Sequence, residues 1–255
     1  PFCRKTIMKS TIITHKNLNN GTPTEIFYPI SDEEFKNQFS EIFDKEHYKK
    51  GKVENGVYVD IGANIGLTAL YFKDYAKEYY AIEPSKECFE ALKKNVSGMN
   101  GKLFNFAIFN ENKKDYLYQT AIDSVSQTFF TGDNQAFGRE EVECKRLDTF
   151  FEENNIEHVD VMKIDVESSE YFILPDPSFE KVASKIDLII GEGHFDASTG
   201  AMPYIIPVIL NEYGFETEFT TDKNMIYKLH YIPLGEKQKN YDLATNTIFV
   251  ARRKK

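Results

Sequence analysis

Acidic and imidazole side chains follow two apolar segments of the sequence, and their types suit proton transfer. The segment "KIDVESSE" carries Asp165, Glu167 and Glu170, and the segment "IIGEGHF" carries Glu192 and His194. Carboxylates and imidazoles are the groups that most often take up or release a proton in enzymes, and the ordinary pKa of histidine lies closest to neutrality. We predict that His194, Asp165 and Glu167 take part in catalysis, and that Glu170 and Glu192 bind a substrate.

Two other interpretations of these residues remain open. Asp165, Glu192 and His194 could hold a divalent metal, because carboxylates and imidazoles are common ligands; the sequence fixes neither geometry nor ligand number, so we predict no metal site. The acids could instead lie in a solvated loop that starts a helix, where the helix dipole favours negative charge. Without such neighbours, we expect structural or exposed roles for His15, His47, His158 and His230.

A turn rich in glycine lies earlier in the chain, in the segment "VYVDIGANIGLTAL". Strand-forming residues lead into Asp60, and Gly62, Asn64 and Gly66 follow before an apolar helical pattern begins. Glycine and asparagine tolerate the left-handed backbone region, and glycine leaves room for a close ligand. A dinucleotide-binding turn reads G-x-G-x-x-G, whereas this turn contains an acid, a poor neighbour for a pyrophosphate. The acid favours a ligand with positive charge, such as S-adenosylmethionine, over a nicotinamide cofactor.

A second acid follows at the spacing typical of a ribose-binding site. Glu83 ends the segment "YYAIEP", and Pro84 interrupts the strand. In dinucleotide sites an acid about 20 residues after the glycine turn accepts hydrogen bonds from the ribose. Asn105 and Ala107, at the end of the next strand, are candidates for the adenine pocket. The predicted cofactor site comprises Asp60, Gly62, Asn64, Gly66, Glu83, Pro84, Asn105, Ala107 and Asp165.

The apolar pattern from residue 57 predicts elements that bring these residues together. We predict strands and helices in alternation, with strands at 57–61, 79–82, 103–107, 159–165, 185–191 and 215–219 and helices at 66–76, 86–96 and 202–213. Such alternation is typical of a parallel sheet with helices on both faces, whose ligands bind at the carboxyl ends of the strands. A hairpin is predicted before the strand at 159–165, and the final run "NTIFVARR" predicts an edge strand.

Residues 1–56 form a predicted N-terminal extension, and residues 57–255 form the main domain. The segments "TIITHK" and "TEIFYPI" predict a short hairpin. A helix is expected to begin at Ser31, which can form a capping box with Glu34. Apolar residues at helical spacing predict that this helix packs as a cap on the edge of the core. A lid over the substrate site is the alternative.

Composition limits the partners and the compartment. The formal net charge of the 255 residues is −9, which argues against a nucleic-acid partner, because nucleic-acid-binding surfaces are basic. Cys3, Cys88 and Cys144 are odd in number and lack metal-site spacing, so we predict reduced thiols and a cytoplasmic protein. No apolar run approaches the roughly 20 residues of a membrane-spanning helix.

Four segments together resemble the FkbM-family methyltransferases, namely "VDIGANIG", "AIEPS", "LDTFF" and "KIDVESSE". The resemblance implies a Rossmann-like class I fold with a mostly parallel, seven-stranded sheet and S-adenosylmethionine as the cofactor. It also points to the pair formed by Glu192 and His194. Family members commonly carry glycine after the second acid of "DVEG", whereas this chain carries Ser168.

The resemblance predicts an O-methyltransferase that acts on a hydroxyl of a carbohydrate or a sugar-containing acceptor. Methyl transfer from a sulfonium is an in-line displacement, so the enzyme must align the hydroxyl and remove its proton. A methyltransferase for a non-sugar small molecule and a catalytically silent cofactor-binding scaffold are the alternatives. We expect a small-molecule or glycan acceptor and no nucleic-acid partner, and the prediction allows for a homodimer.

Overall fold

The computed structural model describes residues 7–119, 127–129, 138–194, 205–220, 226–228 and 247–254. Its helices are α1 (Asp32–Phe39), α2 (Leu67–Phe72), α3 (Lys86–Asn95), α4 (Leu147–Glu153), α5 (Glu170–Ile173), α6 (Pro177–Ala183) and α7 (Ile205–Glu212). Its strands are β1 (Lys9–Ile13), β2 (Thr24–Tyr28), β3 (Gly56–Ile61), β4 (Ala76–Ile82), β5 (Gly101–Phe104), β6 (Ala107–Ile108), β7 (Lys113–Gln119), β8 (Gln127–Thr128), β9 (Gly138–Lys145), β10 (Val159–Ile164), β11 (Ile186–Gly193), β12 (Phe215–Thr220), β13 (Ile226–Lys228) and β14 (Thr247–Arg253).

The main sheet has the strand order β13–β12–β14–β11–β10–β3–β4–β5. Strands β11, β10, β3, β4 and β5 pair in parallel, and β14 pairs antiparallel with both of its neighbours. The run from β12 to β5 is the predicted mostly parallel, seven-stranded sheet, and β13 adds a short strand at its edge. Successive strands are added on one side of β3 and then, from β10, on the other. This reversal creates a crevice at the carboxyl ends of β3 and β10.

Side chains that alternate along each strand pack on opposite faces of the main sheet. Tyr58 and Val161 belong to an apolar cluster with α1, α2 and α3, whereas Val59 and Met162 belong to a second cluster with α4, α6 and α7. The strands are therefore covered by helices on both faces, as the alternating pattern predicts.

Strand β14 departs from the predicted edge position, because it lies between β11 and β12. Val250 packs on one face of the sheet, and Phe249 and Ala251 pack on the other. A run of consecutive apolar residues fits an internal strand that is buried on both faces. The prediction of an edge strand was wrong because it weighed chain position above this pattern.

The predicted strand at 103–107 is divided into β5, in the main sheet, and β6, in a second sheet of order β6–β9–β7–β8. Strands β7 and β9 are antiparallel, as expected for the predicted hairpin. Helix α2 ends before the predicted boundary, because β4 already begins at Ala76. The first residues of the predicted helix at 202–213 lie outside the described residues.

The N-terminal extension contains the expected hairpin and helix. Strands β1 and β2 pair antiparallel, and the Ser31 hydroxyl accepts a hydrogen bond from the backbone N–H of Glu34. A π-helical turn, Ser40–Asp44, continues α1. The side chain of Asn95 in α3 bonds both backbone groups of Phe27 in β2. These bonds join β2 of the extension to α3 of the main domain, and the division of residues 1–56 from the rest as a domain stays a prediction.

Two further expectations concern thiols and membranes. Cys88 and Cys144 are free, buried thiols, whereas Cys3 lies outside the described residues. Among the described residues, no helix is long and apolar enough to cross a membrane.

Candidate active site

A cavity of about 270 Å³ opens at the carboxyl ends of β3, β4, β10 and β11. Its volume is close to the lower end of the range for small-molecule sites, roughly 300–1,000 Å³. It is bordered by the predicted site residues Gly62, Asn64, Glu83, Pro84, Ala107, Asp165, Glu167, Glu192 and His194. Four other predicted residues are not part of its lining, namely Asp60, Gly66, Asn105 and Glu170.

The glycine turn has the predicted left-handed backbone. The φ angles are 80° at Gly62, 50° at Asn64 and 88° at Gly66. A Cβ at Gly62 would lie 2.0 Å from the carbonyl oxygen of Asp165, and one at Gly66 would lie 2.7 Å from Cδ1 of Leu92. The reason for Gly66 therefore differs from the predicted one: it lets the turn pack on α3 and leaves no space for a ligand.

Glu83 presents a fixed carboxylate to the cavity. One of its oxygens accepts the backbone N–H of Asn64 and the other that of Ser85, both at 2.8 Å. Burial raises the pKa of Glu83 to about 7, and these two hydrogen bonds limit the rise. Asn105 does not reach the cavity; its amide donates to the carbonyl oxygens of Glu83 and Pro84. Asn105 therefore supports the position of Glu83.

A buried ion pair lies beneath the glycine turn. The Lys163 ammonium lies 3.3 Å from Asp60 and donates to the carbonyl oxygen of Gly62 at 2.6 Å. The other oxygen of Asp60 accepts from the Tyr79 hydroxyl at 2.8 Å. Burial raises the pKa of Asp60, and Lys163 opposes this rise. Asp60 was predicted to contact the cofactor directly, but its carboxylate is occupied in holding Lys163.

Sequence reasoning missed Lys163, although the sequence contains a signal for it. A lysine inside the apolar strand "VDVMKID" is unusual, because buried lysines are rare without a partner. Burial alone would lower the pKa of Lys163, but Asp60 and Asp165 raise it. Lys163 is therefore a fixed cation.

The carboxylate of Asp165 projects from the end of β10. Its Oδ2 accepts from the Tyr48 hydroxyl at 3.0 Å and lies 3.4 Å from the Lys163 ammonium. Its Oδ1 lies 3.7 Å from Nε2 of His194. Burial alone would raise the pKa of Asp165, but Lys163, His194 and the Tyr48 hydrogen bond lower it. Asp165 is therefore ionised at neutral pH.

His194 lies at the end of β11 and is held by Glu170. Its Nδ1 lies 3.0 Å from Glu170, and its Nε2 lies 3.8 Å from Glu167. Glu170 also accepts the backbone N–H of Val166. Burial alone would lower the pKa of His194, but Glu170, Glu167 and Asp165 raise it well above its usual value. His194 is thus an imidazolium at neutral pH when the cavity holds no other cation.

Glu170 is completely buried. It was predicted to bind substrate, but it does not line the cavity. It contacts His194 from outside the cavity, a position suited to orienting the imidazole ring.

Glu192, the other acid predicted to bind substrate, borders the cavity at the end of β11. Burial and the neighbouring Asp165 raise the pKa of Glu192 to about 8. Its carboxyl is therefore mostly protonated at neutral pH.

The metal alternative has a partial geometric basis. Asp165, Glu170 and His194 can each offer one ligand atom, and these atoms lie within 4.8 Å of one another. This set replaces the Glu192 of the sequence-based alternative with Glu170. Binding a divalent cation is therefore the alternative to proton transfer for this cluster.

One wall of the cavity comes from the N-terminal extension, which was predicted as a cap on the edge of the core with a lid over the substrate site as the alternative. Its cavity-lining residues are Gln38, Glu41, Ile42, His47 and Tyr48. His47 was expected to be structural or exposed, and its place in the lining corrects that expectation. The other histidines behave differently: His15 lies beside Asp44, the exposed His158 lies beside Asp160 and Asp187, and His230 lies outside the described residues.

A family model for the methyltransferase FkbM domain matches residues 60–217. The chain belongs to this family. The chain is 28% identical to the methyltransferase sdnD of Sordaria araneosa over 185 residues, which cover 58% of this chain and 71% of that protein. Its fold is similar to the SAM-dependent methyltransferase of Agrobacterium tumefaciens, with a TM-score of 0.50, 8% identity, and coverage of 99% of this chain and 72% of the other. Precorrin-6y C5,15-methyltransferase of Geobacter metallireducens has a TM-score of 0.45 at 10% identity, with coverage of 82% and 87%.

As a member of the FkbM methyltransferase family, this protein uses S-adenosylmethionine, which supplies an activated methyl group when it is bound. The residues around the glycine turn fit this cofactor. Glu83 presents a fixed acceptor suited to ribose hydroxyls, and the carboxylate of Asp165 suits the positive charges of the sulfonium and ammonium. Oδ1 of Asn64 is buried and has no hydrogen-bond partner within the described residues.

Proposed function

We propose that this FkbM methyltransferase transfers a methyl group to a hydroxyl of a carbohydrate or sugar-containing acceptor. The observation that carries the proposal is the wall of titratable side chains beside the glycine turn, formed by Asp165, Glu167, Glu192 and His194. A sugar presents several hydroxyls, each of which can donate and accept, so the ionised carboxylates and the protonated groups of this wall can bind more than one of them. A non-sugar alcohol is the second candidate, because the same wall would accept a single hydroxyl.

His194 is our candidate for the general base. Its Nδ1 is held by Glu170 at 3.0 Å, which directs Nε2 toward Asp165 and Glu167 and fixes the ring at the strand end. A positive charge in the cavity would lower the pKa of the imidazolium and favour the neutral base. Glu192 is the alternative base, because its pKa of about 8 also suits proton removal near neutrality.

The test of the proposal is methyl transfer from S-adenosylmethionine with a radiolabelled methyl group. The acceptor panel comprises free sugars, methyl glycosides, nucleotide-linked sugars and non-sugar alcohols of similar size. We expect labelled product with at least one sugar class, and mass spectrometry should locate the new methyl on an oxygen. Labelling of the non-sugar alcohols alone would contradict the carbohydrate proposal while retaining methyltransferase activity.

Replacement of His194 tests the assignment of the base and separates an enzyme from a silent scaffold. His194→Ala should lower turnover roughly 10²–10⁴-fold with little change in cofactor affinity, because the base acts in the transition state. His158→Ala is the matched control and should retain activity, since His158 lies outside the cavity lining. The turnover of the parent should rise with pH, and the midpoint of this rise should lie above the ordinary histidine pKa of about 6.5, because the base must lose its proton.

Other results would assign the proton to other groups. If Glu192→Gln abolishes turnover while His194→Ala retains it, Glu192 is the base. If a chelator abolishes the activity of the parent and a divalent cation restores it, the cluster holds a metal. We also propose that the protein works in the cytoplasm without a nucleic-acid partner, a location supported by the free thiols of Cys88 and Cys144.

A further inference from the structure

We infer that Tyr48, in the N-terminal extension, is a positioning residue that fixes the Asp165 carboxylate for the bound cofactor. The inference rests on the proposed function, in which Asp165 faces the positive charges of S-adenosylmethionine. Tyr48 lies outside residues 60–217, the part of the chain that matches the family model. The family match therefore assigns no role to Tyr48.

The contacts of Asp165 divide its two oxygens between protein and cavity. Oδ2 accepts from the Tyr48 hydroxyl at 3.0 Å and lies 3.4 Å from the Lys163 ammonium. Oδ1 lies 3.7 Å from Nε2 of His194, beyond hydrogen-bonding distance. The side chain of Asp165 is 25% exposed and borders the cavity. Tyr48 thus holds one oxygen and leaves Oδ1 for a ligand.

The segment that carries Tyr48 is itself fixed on the main sheet. Tyr48 is buried, and its carbonyl oxygen accepts the backbone N–H of Gly51 at 2.9 Å. A Cβ at Gly51 would lie 2.6 Å from Cδ1 of Ile190, so the chain passes directly over β11. The Tyr58 hydroxyl lies 3.0 Å from the carbonyl oxygen of Gly51 and donates to it. This segment therefore packs on the main sheet and supports the position of the Tyr48 hydroxyl.

Without the Tyr48 hydroxyl, the Asp165 carboxylate would have cations on two sides. Lys163 lies on the side of Oδ2 and His194 on the side of Oδ1. Rotation toward either cation would turn Oδ1 away from its present direction. The neutral hydroxyl opposes this rotation because it provides a directional hydrogen bond.

The experiment compares Tyr48→Phe with Tyr71→Phe. The Tyr71 hydroxyl also donates to a carboxylate of the extension, Glu46, at 3.0 Å, but Tyr71 is not part of the cavity lining. Calorimetry with S-adenosylmethionine between pH 3 and 9 supplies the dissociation constant, and thermal melting at each pH checks the fold. Y48F should weaken binding about tenfold, as expected when a hydrogen bond to a charged group is lost. Y71F should stay within about twofold of the parent, since it leaves Asp165 unchanged.

A pH shift and a double-mutant cycle separate positioning from a general structural effect. In Y48F the acid limb of cofactor binding should move to higher pH, because the hydrogen bond helps to keep Asp165 ionised. In an Asp165→Asn background, Tyr48→Phe should cause no further loss, because the two changes act through one contact.

Equal affinity and an unchanged acid limb in Y48F would overturn the inference. A Y48F protein that fails to fold beside a folded Y71F protein would also overturn it, since the hydroxyl would then serve stability. A parent that does not bind S-adenosylmethionine would instead contradict the cofactor site itself.

Discussion

At the scale of single residues, the backbone at Glu167 and Ser168 shows what it costs this chain to carry serine where family members commonly carry glycine. Both residues have positive φ angles, 51° at Glu167 and 77° at Ser168. Non-glycine residues adopt this left-handed region at a cost of roughly 1–2 kcal/mol. The serine therefore keeps the turn that glycine would form, but it does so under backbone strain. This turn directs Glu167 toward the cavity.

Ser168→Gly should raise the free energy of unfolding by roughly 0.5–1 kcal/mol, because relief of strain exceeds the entropy that glycine adds to the unfolded chain. Ser184→Gly is the matched control: its φ of −65° is already favourable, so glycine there should destabilise the protein. Urea denaturation of both variants checks the two signs. A destabilised S168G protein would show that the Ser168 side chain makes a contact that outweighs the strain.

At the same scale, the sequence predicts the position of some residues of the candidate site and not of others. Asp165, Glu192 and His194 were predictable because they follow apolar strands, and parallel strands end at one edge of a sheet. Tyr48 and His47 were not, because their place in the cavity lining depends on how the extension docks, which no local pattern contains. Asp60 was predicted to belong to the turn, but it lies in β3, and its ion-pair partner Lys163 is far away in sequence.

At the scale of elements, the turn after β3 joins a strand, two helices and the cavity. The close approach of Gly66 to Leu92 sets the distance between this turn and α3. The pattern of the turn was readable because left-handed positions favour glycine and asparagine. The contact with α3 was not readable, because it joins elements that are separated by β4. The internal place of β14 was different, because its consecutive apolar residues are a readable signal that the prediction weighed below chain position.

Gly66→Ala and Gly98→Ala separate backbone strain from this close contact. The φ angles are similar, 88° and 85°, but a Cβ at Gly98 would meet nothing within 4 Å. Each variant should lose roughly 1–2 kcal/mol to strain in the left-handed region. Gly66→Ala should lose more, because Leu92 must also move. Equal losses in thermal or urea unfolding would show that α3 adjusts without cost.

At the scale of the whole molecule, the cavity concentrates groups whose charges oppose folding. The pKa values of Glu83 and Glu192 are raised from 4.5 to about 7 and about 8, mainly by burial. The folded protein therefore retains these protons at pH values where the unfolded chain has released them. The raised pKa of His194 acts in the same direction, since its stabilisation is complete below about 6.5 and is lost as the pH rises through the folded value.

The stability of the cofactor-free protein should consequently fall as the pH rises from about 5 to 8. One pKa unit corresponds to about 1.4 kcal/mol, so Glu83 alone contributes on the order of 3 kcal/mol. This loss should lower the melting temperature by roughly 5–10 °C. Calorimetric melting at both pH values checks the slope, and Glu192→Gln should reduce it. A melting temperature that stays constant or rises over this range would contradict the burial of ionisable groups proposed for the cavity.

The docking of residues 38–48 against the glycine turn has an evolutionary consequence. Two separate stretches of the chain encode one cavity: residues 60–217, which match the family model, supply the glycine turn and the acidic wall, and residues 38–48 supply the facing wall. Because Tyr48 of the leading segment holds Asp165 of the shared core, exchange of that segment alone should weaken the methyl-donor site as well as reshape the facing wall. Relatives with a different leading segment should therefore carry matching changes among the cavity residues of the shared core. Comparison of the two stretches across relatives checks whether they change together.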